Sequence, residues 1–99
     1  MKYNFEWNPY KAEQNHRKHK VRFEHAAEVF LDPSTISIYD EEHSLDEDRW
    51  ITIGKTHANI ILIVIHTFQE ENIDNCEIRI ISARKATKKE IKQYEGDKL

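Results

Sequence analysis

The stretch Glu77–Glu95, EIRIISARKATKKEIKQYE, constrains the fold most, because it reads as strand, short link and helix in immediate succession. Ile78 and Ile80 alternate with Arg79 and Ile81, the period-2 signal of a strand with two unlike faces. Thr87-Lys88-Lys89-Glu90 is a capping box: the Thr87 hydroxyl accepts from the Glu90 N–H, and the Glu90 carboxylate accepts from the Thr87 N–H. Ile91 and Tyr94 then give the helix an apolar stripe to lay on a sheet. Six of the fourteen residues from Arg79 to Lys92 are basic, and only Glu90 is acidic. A strand that ends in a basic turn presents fixed cations from a rigid platform, which suits a phosphodiester.

Ninety-nine residues make a single domain spanning 1–99. The apolar share of 38% allows only a modest core, so part of the apolar surface is expected to be shared with a partner. Cys76 is alone, which excludes an internal disulfide and suits a reducing cytoplasm. No segment is long enough to span a bilayer, and MKYNFEWNPY lacks the apolar core of a signal peptide. A net charge of −3 taken alone argues against nucleic acid, but its distribution argues the other way. Residues 11–22 hold five basic residues against one acidic, whereas residues 40–48 hold six acidic residues and no Lys or Arg. Either block by itself reads as a solvated face. Two basic blocks from opposite ends of the chain, able to meet in space, raise the nucleic-acid reading.

Tyr3, Phe5 and Trp7 alternate with polar residues and read as a short edge strand. Asn8-Pro9 starts a helix, with Asn as cap and Pro where its missing N–H costs nothing; that helix runs to about Lys20. Its candidate inner face is only Ala12, His16 and His19, so it is placed on the surface or against a partner. Phe23, Ala26, Ala27 and Phe30 give a second helix, Arg22–Leu31, a clear apolar stripe. Asp32-Pro33 ends it. Four strand signals follow, at Ile36–Ile38, at Arg49–Ile53 stopping at Gly54, at Ile60–Ile65 and at Cys76–Ser82. The β-branched run Ile60–Ile65 reads as the central strand. Short connections make these four an antiparallel meander. The expected class is α+β: a four-stranded meander, a short N-terminal edge strand, two N-terminal helices and one C-terminal helix.

Neither a nucleophile-elbow motif nor a glycine-rich phosphate loop is present. His16 and His19 share a helix face without further ligand spacing, so no metal or cofactor is expected. His66 ends the central strand. It reads equally well as a strand-end residue bonded to backbone and as a proton donor or acceptor. Arg79 reads as a snorkelling side chain or as a bidentate phosphate clamp. Lys88, Lys89 and Lys92 lie on the outer face of the last helix, where solubility alone explains them.

Three segments, FEWNPYKAEQNHRKHKVRFEHAAEVFLDP, RWITIG and RIISARKATKKEIKQYE, together resemble the BrnT toxins of bacterial type II toxin–antitoxin systems. The likeness covers nearly everything from Phe5 to Glu95. It implies a RelE/ParE-like fold and a cytoplasmic ribonuclease toxin that cleaves RNA and inhibits translation. It also implies silencing by a BrnA-type antitoxin in a hetero-oligomer, expected as a heterotetramer, which touches operator DNA only through the antitoxin. The chain departs from the family pattern in three places. Lys20 stands where the family usually has Gly at a helix stop, QEENIDN replaces a hairpin with Arg and Gly, and Arg84-Lys85 replaces Arg-Arg.

On this reading cleavage is metal-independent, with the RNA 2′-OH as nucleophile. Arg79 and Arg84 carry the developing phosphorane charge, Lys85 supports them, and His66 moves the proton. Lys18, His19, Lys88 and Lys89 bind RNA, and Arg17 and Lys18 meet the antitoxin. The alternative is a module without chemistry that only modulates the antitoxin's DNA affinity.

Overall fold

In the computed structural model, which describes residues 2–96, the elements in chain order are β1 (Lys2–Glu6), α1 (Pro9–His19), α2 (Phe23–Glu28), β2 (Ile36–Tyr39), β3 (Trp50–Lys55), β4 (Ile61–His66), β5 (Gln69–Glu70), β6 (Asn75–Lys85) and α3 (Lys88–Tyr94). Single 3-10 turns follow α2 at Val29–Leu31 and β2 at Glu41–His43. The sheet order is β1-β6-β4-β3-β2, with β5 also paired to β6. Neighbours along β2-β3-β4-β6 are antiparallel, as the short connections predict. The sheet is nevertheless mixed rather than a four-stranded meander, because β1 lies parallel to β6, Lys2 opposite Asn75 and Glu6 opposite Arg79. More than sixty residues separate these partners, so no hairpin dictates their direction. The last strand also outruns its sequence signal and continues to Lys85.

Alternation sorts the side chains. On one face Phe23, Ala26 and Val29 are fully buried against Val64, Ile78, Ile80 and Ala83. Each large aliphatic or aromatic side chain so buried contributes about 1.5–3 kcal/mol before entropy. The expected α2 helix ends early, at Glu28, and Val29–Leu31 tightens into a 3-10 turn. That turn packs directly over β3. A Cβ at Gly54 would meet Val29 Cγ1 at 2.5 Å, so glycine is required there by close approach, and the strand passes through it to Lys55. The other face carries Ile36, Ile38, Ile51, Ile53, Ile61, Ile63 and Ile65. Ile63 is buried, but Ile36 and Ile38 stay 43% and 58% exposed, which leaves apolar surface open on this side.

Helix α1 is not an idle surface helix. It runs beside β6, and Asn15, only 6% exposed, fills the edge that β1 leaves bare beyond Arg79. Asn15 Nδ2 donates to Ala83 O at 2.9 Å and to Val21 O at 3.0 Å, while its Oδ1 accepts from Ala83 N at 3.0 Å. One side-chain amide thus replaces a strand partner.

Helix α1 stops at Lys20, whose φ of 60° is left-handed. An L side chain in that region costs about 1–2 kcal/mol. Lys20→Gly should therefore stabilise the protein by roughly 1 kcal/mol, read as a higher urea midpoint at unchanged m-value. An unchanged midpoint would show that the Lys20 side chain offsets its backbone strain.

Candidate active site

Strand β6 positions both strand arginines. His66 pairs with Ile80, whereas Ile65 pairs with Ser82, so Ile81 is the extra residue of a β-bulge. Paired residues share a face. Arg79, next to Ile80, and Arg84, paired with Ile63, therefore both point away from the face on which His66 lies. They sit about 15 Å apart along the strand. The sheet thus separates His66 from the two arginines that the sequence grouped with it.

Arg79 Nη2 donates to Glu47 Oε1, and Arg49 Nη2 lies 3.7 Å from the same oxygen. Glu47 comes from the acidic loop between β2 and β3. Lys11 from the first turns of α1 and the Ile81 bulge complete a groove of about 330 Å³ around these groups. Two guanidinium groups therefore flank one carboxylate in a groove that Lys11 also lines, and the Arg49 Nε is buried without a partner among the described residues. Thr67 braces the strand there: its N–H donates to Arg79 O at 2.9 Å, and its hydroxyl accepts from Arg79 N at 3.2 Å. Glu47, Arg49 and Lys11 were missed as site residues. The signal was faint: Arg49 and Lys11 lie in the two segments RWITIG and FEWNPYKA, but the acidic loop reads as solvated.

Arg84 is occupied in another way. Its guanidinium makes a two-pronged pair with Glu90, Nη1 to Oε1 at 2.8 Å and Nη2 to Oε2 at 2.9 Å. Glu90 also completes the capping box, accepting from Thr87 N at 2.8 Å while its own N–H donates to Thr87 Oγ1 at 3.2 Å. The Arg84 guanidinium pulls the Glu90 carboxyl down to about 2, against burial, which would raise it. Arg84 itself is pushed up by the same bond. Because the folded pKa lies below the ordinary 4.5, this pair stabilises the fold above pH 4.5 and is lost as pH falls toward 2. Glu90→Gln should be destabilised relative to wild type at pH 7, and the difference should shrink below pH 4.5 and close only near pH 2 in urea titrations. A difference of the same size at both pH values would mean the carboxylate charge is irrelevant to the cap.

His66, 2% exposed, stands edge-on to Phe30 at 4.8 Å between ring centroids. Its Nδ1 lies 2.9 Å from Thr67 O, a carbonyl that can only accept, so Nδ1 carries the proton. Nε2 must then accept from Thr52 Oγ1 at 2.6 Å, and Thr52 in turn accepts from Ser37 Oγ at 2.7 Å. Burial lowers the His66 pKa and keeps the ring neutral.

The remaining residues lie elsewhere. Lys85 is exposed at the end of β6, on the face of Leu62 rather than that of Arg84. Lys11 neighbours Arg79 and Asn15 binds Ala83, so α1 runs in the direction of β6 and carries Lys18 and His19 past Ala83, toward the Lys85 end. Arg17 is exposed and paired with Glu13 at 2.6 Å. Lys88 and Lys89 are exposed in the first turn of α3. Of the sequence-predicted cations, Arg79 thus stands apart, beside the unpredicted Arg49 and Lys11, while Lys85, Lys88 and Lys89 lie toward the Arg84 end of β6. Tyr94, expected in the core, is half-buried. Its hydroxyl donates to Asp32, burial and that carboxylate push its pKa up to about 12, and the Lys55 ammonium lies 6.0 Å from its ring centroid.

Comparison with solved structures finds the crystal structure of the Brucella abortus ribonuclease toxin BrnT, with a TM-score of 0.63 and 22% identity over 89% of this chain and 100% of that one. That likeness shows a shared fold. No match was found among curated proteins. The profile described as "Ribonuclease toxin, BrnT, of type II toxin-antitoxin system" matches residues 7–90, and so takes in every residue of the Arg79 groove and of the Arg84 cap. The chain therefore belongs to the BrnT family of ribonuclease toxins of type II toxin–antitoxin systems.

Proposed function

We propose that this BrnT-family toxin is a metal-independent endoribonuclease whose reacting phosphate sits in the groove of Arg79, Arg49 and Lys11. The observation that carries this reading is the convergence of Arg79 and Arg49 on the Glu47 carboxylate at a bulged strand, in a groove that Lys11 also lines. An RNA phosphodiester offers the same charge and fork geometry that Glu47 offers. The 2′-OH attacks phosphorus and its proton passes to Glu47. The P–O5′ bond breaks, and the 5′-oxygen takes a proton from Lys11 or from solvent. The products are a 2′,3′-cyclic phosphate and a 5′-OH. Arg79 and Arg49 stabilise the added charge on the phosphorane. His66 holds the sheet from the other face, and Arg84 anchors α3. Lys18, His19, Lys85, Lys88 and Lys89 would guide RNA along the second basic group.

In the cytoplasm this activity would inhibit translation, under the control of a BrnA-type antitoxin that also represses the shared operon through its own DNA-binding domain. The exposed Arg17 and Lys18 offer that antitoxin a salt-sensitive point of approach, and the open isoleucine face offers it apolar area. A heterotetramer built on an antitoxin dimer fits this arrangement. Cleavage without a metal is consistent with a groove built of guanidinium groups.

Purified, antitoxin-free protein incubated with RNA in EDTA should cut it and leave cyclic phosphate ends. Uncut RNA, together with unaffected translation in an extract, would sink the enzymatic reading. A second reading is a binding module without chemistry, favoured by the internal neutralisation of both strand arginines by Glu47 and Glu90. Harmless expression of soluble, folded protein without antitoxin would support it; growth arrest relieved by Arg79→Ala would support the enzyme.

A further inference from the structure

On the helix-bearing face of the sheet, the ends of β1, β3 and β4 leave a second cavity of about 260 Å³. Tyr3, Phe30, Trp50 and Phe68 form its apolar walls, and Thr35, Ser37 and His66 are its polar lining residues. The mechanism uses none of these groups. Phe68 is 40% exposed and also lines a separate opening with Arg79 and Glu47, whose walls include the carboxylates of Glu6, Asp48 and Glu77; Arg79 and Glu47 in turn line the phosphate groove, so the cavity reaches that groove by way of this opening. Drug-sized ligands need about 300–1,000 Å³, and this space is smaller, of a size for one planar ring system. Unstacked bases of single-stranded RNA are bound in this manner, between aromatic side chains and beside a few fixed polar atoms.

The polar atoms of Ser37 and His66 are fixed in sense. Because Thr67 O can only accept, each hydrogen bond of the chain Ser37–Thr52–His66 runs one way, and the Ser37 hydroxyl spends its proton on Thr52. What Ser37 turns to the cavity is therefore lone pairs alone, an acceptor.

We propose that this aromatic cavity is a nucleobase subsite, which takes a base flanking the phosphate held at Arg79 and prefers bases that present an amino group to Ser37. The proposal rests on the ribonuclease reading for its biological meaning, but the binding itself does not require cleavage. It also gives the toxin a source of sequence preference, since phosphate contacts alone carry none.

The test uses the full chain, antitoxin-free, titrated with AMP, CMP, GMP and UMP while Trp50 fluorescence is followed. Trp50→Phe identifies the contribution of Trp7. A saturable change is expected, tighter for the three amino-bearing nucleotides than for UMP. Phe68→Ala, at a partly exposed position, should weaken binding at least about fivefold, the lower bound for one lost base–aromatic stack. Ser37→Ala should reduce the discrimination against UMP. Ribose 5-phosphate should bind without the fluorescence change. The proposal is overturned if no nucleotide gives a saturable change, if ribose 5-phosphate gives the same one, or if both variants leave all four affinities unaltered. Nucleotides that bind to a protein leaving RNA intact would uphold the subsite and remove the ribonuclease reading. Cleavage without nucleotide binding would do the reverse.

Discussion

Asn15→Leu should lower the unfolding free energy by about 3 kcal/mol and shift the urea midpoint to match. The reason is the edge of β6. Strand β1 covers it only as far as Arg79, and beyond that point Ala83 N–H and C=O have the Asn15 amide as partner. Val21 C=O depends on the same amide. Leucine is close in volume, so packing changes little, while three buried backbone groups lose their bonds. Each unsatisfied group costs about 1–3 kcal/mol, and partial access of water keeps the sum at the lower end. A domain of this size has only about 5–15 kcal/mol in all. Asn15→Asp adds a control with a sign. Its carboxylate would still accept from Ala83 N–H but would face two carbonyl oxygens, so it should be as damaging as leucine at pH 7 and recover in part below its pKa. Hydrogen exchange at Ala83 should accelerate in both variants. A loss below 1 kcal/mol for Asn15→Leu would show that water closes this edge unaided.

The largest effects on activity are expected at Arg79 and Glu47. Arg79→Ala should reduce RNA cleavage about 10²–10³-fold, the usual loss when one fixed donor to a developing oxyanion is removed. Arg79→Lys should recover only part of it, since a point charge replaces a fork. Glu47→Gln tests the proton role: the amide can still accept from Arg79 but is a poor base, and a loss of about 10²–10⁴-fold is expected. If Glu47→Gln instead binds RNA more tightly and cleaves it faster, the carboxylate is a gate over the arginines and not the base. Arg84→Ala is the contrast. It should chiefly loosen α3, through the loss of the Glu90 pair and the cap attached to it.

The local features were legible in the residues themselves. Asn8-Pro9 starts α1, with the Asn8 side chain accepting from Tyr10 N and Lys11 N, and Thr87 and Glu90 form the capping box that their spacing announces. Caps and helical stripes are settled by residues three or four apart, and strands by alternation, so a linear reading reaches them. The family likeness, carried by three segments in order, was legible for the same reason: it is a property of the string. The face on which each strand residue lies depends on register, and one extra residue at Ile81 is enough to turn Ser82 and Arg84 to the side of Arg79 rather than that of His66. Glu47 meets Arg79 across 32 positions and Asn15 meets Ala83 across 68. No periodicity links such pairs. They exist because the sheet closes with β1 parallel to β6, which brings α1 along an edge and folds an acidic loop over a basic strand, and only the packed chain decides that.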